Sequence, residues 1–262
     1  MNGLLRNISW RATKVWRRNA DVFLVTLPIE ALPAIIEPVL YLLAFGLGLG
    51  SLVHEVRYEG QVVPYIRFLA PGTTAVAILF WSYFETTYSS YIRMYYQKTF
   101  DAILATPLLV EDVILGEMLY AASRSVLASI IMLGVIASFG LVAWPSGLLV
   151  LPVAALAGLF FAGVGLVVTS LVKNISHFNV PMSLFILPMF TFGGTFFPVE
   201  VLPSWAQPIA WSLPLTHVSF LVRAATLGIA SPALVASVAY LGIGALLFGI
   251  LALHRMKKRL VP

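Results

Sequence analysis

Four ionisable side chains in or beside long apolar segments are the residues of this chain best placed to do chemistry. They are Glu30, Glu37, Glu85 and Arg124. A charge at the centre of a bilayer costs about 2.5–3.5 kcal/mol or more, so such residues pair with one another or serve a function. All four fall toward the same end of their segments. The sequence therefore predicts a charge network at that end, in which a glutamate pairs with Arg124.

Other reactive groups are scarce in the sequence. There is no cysteine, which excludes thiol chemistry and thiolate metal ligands. The histidines are too scattered along the chain to predict a zinc site, whose ligands must converge. These histidines are His54, His177, His217 and His254. A Gly-x-x-x-x-Gly-Lys-Ser/Thr loop is also missing, so the sequence predicts neither a catalytic residue nor P-loop nucleotide binding.

The composition is that of a membrane protein. Hydrophobic residues make up 60% of the chain and charged residues 10%, whereas soluble domains contain about 25% charged residues. The net charge of +5 could indicate a nucleic-acid partner. However, the basic residues sit at the ends of apolar segments, where they suit anionic lipid headgroups. Membrane lipid, not nucleic acid, is therefore the predicted partner.

Six segments are long and apolar enough to be spanning helices, which need about 20 such residues. Their approximate ranges are 28–50, 68–88, 119–142, 148–172, 175–197 and 233–253. We expect an all-α membrane protein, with residues 28–262 forming one six-helix domain. In the fourth segment, Gly158, Gly163 and Gly165 predict close helix approach.

The distribution of lysine and arginine predicts the orientation, because cytoplasmic loops collect positive charge. Thirteen of the sixteen fall on one side of the six segments: Arg6, Arg11, Lys14, Arg17, Arg18, Arg93, Lys98, Arg124, Lys173, Arg255, Lys257, Lys258 and Arg259. The other three are Arg57, Arg67 and Arg223. Both ends of the chain are therefore expected in the cytoplasm.

Residues 1–27 are predicted to form a basic amphipathic helix in the membrane interface. Their apolar residues recur every three to four positions, which gives one apolar stripe on a helix. The stripe contains Leu4, Leu5, Ile8, Ala12, Val15 and Trp16. Basic residues interleave with it from Arg6 to Arg18, a pattern that favours an interfacial helix over a cleaved signal peptide.

Residues 97–107 are predicted to form a short amphipathic helix on the cytoplasmic side. Phe100, Ile103 and Leu104 share one helical face, Lys98 and Asp101 lie on another, and a proline at 107 ends the helix. Such a helix can dock into a groove on a partner. The alternative is a helix that lies on the lipid surface.

Residues 197–231 form a long outer segment that is too apolar for a free loop. Four prolines divide it into pieces too short to span the membrane. Irregular backbone at membrane depth survives only when it is buried in protein or lines a cavity. We therefore expect short re-entrant helices, with Ser204 and Thr216 as N-caps. The alternative is an aromatic belt at the membrane surface.

Aromatic residues crowd the second span and the end of the first. They are Tyr41, Phe80, Trp81, Tyr83, Phe84 and Tyr88. Such a face could stack on sugar rings or line the path of an amphiphile. The alternative is ordinary core packing together with an aromatic belt at the membrane interface.

Ordered motifs along nearly the whole chain resemble the permease subunits of ABC-2 type exporters. They include Gln-Lys-Thr-Phe-Asp at 97–101, Leu-Gly-Glu at 115–117, Phe-Phe-Pro at 196–198 and Pro-Leu-Thr-His at 214–217. Further pieces resemble the nodulation protein J subfamily. These are Trp-Arg-Arg-Asn at 16–19, Glu-Pro-Val-Leu-Tyr-Leu at 37–42, Phe-Leu-Ala-Pro-Gly at 68–72 and Phe-Glu-Thr-Thr-Tyr at 84–88.

The resemblance implies a half-transporter in a bacterial inner membrane. It would form a homodimer and pair with two copies of a separate ATPase subunit, which would hold the ATP and Mg. The implied cargo is an amphiphilic or lipid-linked saccharide. The implied ATPase-coupling residues are Lys98, Phe100, Asp101, Ile103, Leu104 and Thr106. The implied outer gate contains Phe196, Phe197, Pro198, Trp205 and Trp211.

The residues alone leave three other functions open. A proton-coupled secondary carrier would depend on Glu37 or Glu85. A membrane-embedded transferase would need a cluster of acids, for which the candidates are Asp101, Glu111, Asp112 and Glu117. An assembly factor would stimulate no ATPase.

Overall fold

The computed structural model describes residues 9–261, apart from the side chains of residues 28–35, 37, 38 and 47. Helices dominate the described chain. They are α1 (Ala12–Tyr41), α2 (Tyr65–Phe84), α3 (Thr99–Leu104), α4 (Val110–Ser138), α5 (Val150–Leu171), α6 (Asn179–Pro181), α7 (Leu187–Phe192), α8 (Gln207–Ser212), α9 (Pro214–Leu227) and α10 (Ala233–Leu260). This agrees with the predicted helical class.

Helix α1 runs without interruption through the predicted boundary between residues 27 and 28. The residues of its predicted apolar stripe differ in burial. Ala12 and Val15 are buried, and both pack closely on Gly116 of α4, where an added Cβ would come within 2.5 Å of the Val15 Cβ. Trp16 is partly exposed. The interfacial position of this helix stays a prediction.

Among the described residues, four helical stretches are long and apolar enough to cross a membrane. They are Val110–Ser138, Ser146–Leu171, Ile175–Phe192 and Ala233–Leu260. The first begins well before residue 119 and the last continues past residue 253, because both helices extend beyond their apolar parts. Hydropathy marks only the apolar part of a helix.

The second and fifth predicted spans are built from interrupted helices. After α2, wider π-helical turns cover Glu85–Ser89 and Ile92–Tyr96. The fifth segment changes between helical types three times, with a π-helical turn at Met182–Ile186 between α6 and α7. The count of six spans and their orientation therefore stay predictions.

A β-hairpin occupies the loop between the first two predicted spans, and the sequence analysis missed it. Strand β1 (Glu55–Tyr58) pairs antiparallel with β2 (Gln61–Pro64), with Tyr58 opposite Gln61. Glu59 and Gly60 make the turn with φ values of 49° and 74°. Positive φ at both central residues is the signature of a tight hairpin turn, for which glycine is well suited.

The outer segment folds into short helices that support the core. Helix α9 has 14 residues, which gives a length of about 21 Å, short of the roughly 30 Å hydrocarbon core. Most of its residues are buried. The predicted N-caps are wrong: α8 begins at Gln207 instead of after Ser204, and Leu213 holds the N-cap position of α9. That these helices re-enter the membrane stays a prediction.

Helix α5 lies at the centre of the packing, as its predicted close-approach glycines require. Gly158 faces Ala122 and Ser125 of α4, and Gly163 faces Phe248 of α10. At Gly165 an added Cβ would lie 2.1 Å from the Thr86 hydroxyl oxygen. The prediction of close helix approach at these three glycines is confirmed.

We predict that Gly165→Ala lowers thermal stability in detergent, because overpacking a tight contact costs about 1–3 kcal/mol. Gly134→Ala is the matched control, since Gly134 also lies within a helix but has no atom within 4 Å of an added Cβ. The control is expected to melt at the same temperature or higher. Equal melting of the two variants would contradict the close packing at α5.

Candidate functional site: an inner charge network and an aromatic cavity

A buried carboxylate, Glu117 of α4, joins three parts of the chain. It is 1% exposed. The Asn19 side-chain amide of α1 donates to one Glu117 oxygen at 2.7 Å. Ser90 and Arg93 donate to the other oxygen. Since both lie in residues 85–98, which we call the elbow, Glu117 holds α1, α4 and the elbow together.

Arg93 connects Glu117 to a second buried acid. Its guanidinium lies 2.5 Å from a Glu117 oxygen and 2.8 Å from a Glu85 oxygen. Burial by itself lowers the pKa of Arg93, but the charges of Glu117 and Glu85 outweigh it and raise this pKa above its ordinary value. Arg93 therefore stays charged. A buried charge of this kind is tolerated because it is paired and hydrogen-bonded.

The structure arranges part of the predicted inner network differently. Glu85 is ion-paired with Arg93, a residue that the sequence analysis left out. The Arg124 guanidinium stacks on the rings of Phe23 at 4.1 Å and Trp81 at 4.4 Å. The side chains of Glu30 and Glu37 lie outside the described residues. No spacing rule links residues 93 and 117, so only the tertiary fold reveals their pairing.

Helix α3 packs one face on the chain's own core and leaves the other face exposed. Phe100 is fully buried and packs with Tyr91, Met94 and Val113 in the chain's own core, with Ile103 and Leu104 against the same cluster. Phe100 is therefore covered by the chain's own core, whereas Ile103 and Leu104 are partly buried. The coupling role of these residues stays a prediction. Residues open to a partner are on the other side: Lys98, Asp101, Ala102, Ala105 and Thr106.

The start of α3 is a sharp change of direction. Lys98 precedes the helix in the left-handed region, with φ 55° and ψ 24°, a conformation that costs a non-glycine residue roughly 1–2 kcal/mol. The exposed Lys98 ammonium lies 3.6 Å from Asp101. Exposed pairs of this kind stabilise little, so the packing of Phe100 holds α3 in place.

The four acids considered as a transferase cluster have separate partners. Asp101 pairs with Lys98 and Glu111 with Lys257. Asp112 accepts hydrogen bonds from Ser9 and from the Leu109 backbone, and Glu117 belongs to the inner network. Within the described residues, no three His, Asp or Glu side chains are placed to hold a metal ion.

An aromatic cavity lies between α2, α4 and the end of the fifth segment. Its aromatic lining is Tyr41, Phe80, Trp81, Phe190 and Phe196, with Thr73 and Thr195 as hydroxyl groups. The volume is about 40 Å³, far below the roughly 300–1,000 Å³ of an occupied ligand pocket. In this conformation the cavity is therefore nearly closed.

The remaining residues of the predicted substrate path lie elsewhere. Tyr83 is 1% exposed and borders a different apolar cavity of about 500 Å³, between α5, the fifth segment and α10. Phe84 stacks on Phe80, with ring centres 5.4 Å apart. Tyr88 contacts Phe178 at 4.9 Å, near the inner end. Phe80, Phe84 and Tyr88 thus form a row of ring contacts that starts at the aromatic cavity. The role of the six aromatics as a cargo path stays a prediction.

The predicted gate residues are also separated. Phe196 lines the aromatic cavity and contacts Phe45 and Phe190, with ring centres 5.4 and 5.1 Å away. Phe197 is half-buried and Pro198 is buried beside it. Trp211 packs on Phe220 of α9, whereas Trp205 is 72% exposed. Phe196 is the one of the five placed to close the cavity.

A buried arginine, Arg223 of α9, organises the opposite end of the molecule. It is 2% exposed. Its side chain donates to the backbone carbonyls of Phe68 at 3.0 Å and Gly194 at 2.8 Å, and it stacks on the Phe68 ring. Arg223 therefore joins α9 to α2 and to the loop beside Phe196. The sequence analysis counted it only as an outer basic residue.

Comparison with known proteins places this arrangement in a family. The family model for the ABC-2 type transporter matches residues 4–227. The chain belongs to this family and is the membrane component of an ABC transporter, a multi-pass protein.

Named relatives are similar over most of their length. Nodulation protein J of Sinorhizobium fredii (strain NBRC 101917 / NGR234) is 38% identical, over 83% of this chain and 82% of the relative. Nodulation protein J of Rhizobium meliloti (strain 1021) is 37% identical, over 84% and 82%. Inner membrane transport permease YadH of Escherichia coli (strain K12) is 21% identical, over 86% of each chain.

We predict that Glu117→Gln destabilises the chain by about 3 kcal/mol, because breaking a buried ion pair leaves the other charge uncompensated. Thermal unfolding in detergent measures the loss. Asp101→Asn is the control, since Asp101 pairs with Lys98 at the surface and such pairs contribute under about 1 kcal/mol. Similar small losses in both variants would show that the Glu117 network is not a stabilising junction.

Proposed function

We propose that this chain is the transmembrane subunit of an ATP-driven exporter in a bacterial inner membrane. Its cargo is an amphiphilic or lipid-linked saccharide taken from the cytoplasm or the inner leaflet. The observation that carries this proposal is the family match across residues 4–227. The resemblance to nodulation protein J supports the saccharide class of cargo.

The energy comes from a separate subunit. The sequence has no P-loop, so two copies of a cytoplasmic ATPase bind ATP and Mg and act on a homodimer of this chain. The exposed side of α3 supports this arrangement. It offers Asp101, Ala102 and Ala105 to a partner, on a helix that its own core already fixes.

The inner network gives a route by which docking at α3 reaches the membrane helices. Phe100 connects α3 to the core around Tyr91 and Met94 of the elbow. Arg93 lies next to Met94 in the elbow. It forms ion pairs with Glu85, which follows α2, and with Glu117 of α4. Movement of α3 by the ATPase therefore acts through the elbow on α2 and α4, which border the aromatic cavity.

We predict that Ala102→Arg abolishes stimulation of the partner ATPase while leaving the fold intact, because Ala102 is exposed on α3 and a large charged side chain blocks a close-fitting contact. ATP hydrolysis by the co-purified complex and the melting temperature of the chain measure the two effects. Thr13→Arg, on the exposed side of α1, is the control. Normal ATPase stimulation by Ala102→Arg would contradict docking at this face.

The aromatic cavity is the proposed cargo path. It combines apolar walls with two hydroxyl groups, from Thr73 and Thr195, a mixture that suits an amphiphile better than an ion. Because the cavity is nearly closed, export requires Phe196 to move away from Phe190 and Phe45. The loop held by Arg223 lies directly beside Phe196, so α9 controls how far Phe196 can move.

We predict that Trp81→Ala changes cargo preference while the ATPase still binds, because Trp81 lines the cavity and lies away from α3. Vesicle transport of two saccharide amphiphiles with different chain lengths measures the preference. Trp205→Ala removes an equally large but exposed ring and is expected to change nothing. Unchanged preference in both variants would assign Trp81 to core packing.

A further inference from the structure

A polar cavity of about 260 Å³ lies at the inner end, between α1, the elbow and α4. Its polar lining includes Arg18 and Asn19 of α1, Arg93 of the elbow, and Tyr120 and Arg124 of α4, with Glu85 also present. A water molecule occupies about 30 Å³ in the liquid, so the cavity is larger than one small ion requires. None of the roles described above for the inner network uses this space.

Among the described residues, three guanidinium groups and the carboxylate of Glu85 line the cavity. Arg93 is already compensated by Glu85 and Glu117. Arg18 donates one hydrogen bond, to the Asn19 side-chain oxygen at 3.0 Å, and no carboxylate among the described residues is paired with it. Arg18 therefore keeps donors and charge for a ligand.

The donor set suits a phosphate group. Guanidinium groups bind phosphate oxygens with paired, charge-assisted hydrogen bonds. The Gln97 amide and the Tyr120 hydroxyl at the same cavity add neutral donors. A tetrahedral phosphate can accept hydrogen bonds from more of these donors at once than a planar carboxylate can.

The cavity also adjoins an apolar environment. The Arg124 guanidinium on its wall stacks on Trp81 at 4.4 Å, and Trp81 lines the aromatic cavity. Apolar Val22 and Phe23 lie at the α1 side of the same polar cavity. A ligand that presents a phosphate to Arg18 can therefore keep an attached acyl chain beside apolar surface.

We propose that this cavity binds the phosphate of a membrane amphiphile, with Arg18 as its principal ligand and the Gln97 and Tyr120 side chains as neutral donors. This inference goes beyond the proposed transport function, because it requires neither ATP nor a partner. The same chemistry could come from a lipid headgroup or from free phosphate in the cytoplasm.

The test measures binding to the purified full chain in neutral detergent. Three probes are titrated: short-chain phosphatidic acid, a diacylglycerol of the same chain length, and inorganic phosphate. Arg18→Gln is compared with Arg17→Gln, whose side chain is 73% exposed and pairs with Asp21. These neighbours carry the same charge on the same helix, so the comparison separates the cavity from the general basic surface.

We expect phosphatidic acid to bind more tightly than diacylglycerol, and Arg18→Gln to weaken it by roughly tenfold, as for a lost charge-assisted hydrogen bond. Arg17→Gln should bind as the unmodified chain does. Competition by inorganic phosphate would assign the site to free phosphate as well, and its failure would assign the site to a lipid headgroup. Equal binding of both lipids, or equal loss in both variants, would overturn the proposal. Neither result bears on ATPase stimulation, so the proposed transport function is tested independently.

Discussion

A buried carboxylate on a long apolar helix needs donors, and this requirement at Glu117 sets how α1, the elbow and α4 pack together. Asn19, Ser90 and Arg93 supply those donors from α1 and the elbow. Each of these segments is thereby fixed against α4. Because α3 follows directly from the elbow, its position depends on the same junction. The position of the exposed side of α3 therefore depends on satisfying one buried acid.

The outer end has a corresponding junction that uses an arginine and backbone carbonyls instead. Arg223 holds α9 to the Phe68 and Gly194 carbonyls, and Gly72 allows this close approach, since a Cβ there would lie 2.5 Å from the Thr195 carbonyl oxygen. The aromatic cavity lies between the two junctions. The movement proposed above, from α3 to Phe196, would therefore have a fixed attachment at each end.

The sequence predicted features that depend on local pattern, and it missed those that depend on tertiary pairing. Apolar runs identified the long helices, and small residues such as Gly165 marked close packing. The amphipathic pattern of α3 predicted a buried face, but it could not show that the chain's own core covers Phe100. Arg93 and Arg223 were read only as topology signals, because the acids and carbonyls that surround them come from distant segments. The hairpin at Glu59 and Gly60 was overlooked within a polar loop.

The central claim is that this chain works as the membrane half of an ATP-driven complex. The most direct measurement is mild-detergent purification of the tagged chain from its native membrane, with quantitative mass spectrometry and an ATP hydrolysis assay on the same eluate. We predict a soluble ATPase subunit in equal amount to this chain, together with ATP hydrolysis. A chain that purifies alone without hydrolysis would contradict the account, and Glu85 would then have to be tested as part of an ion-coupled carrier.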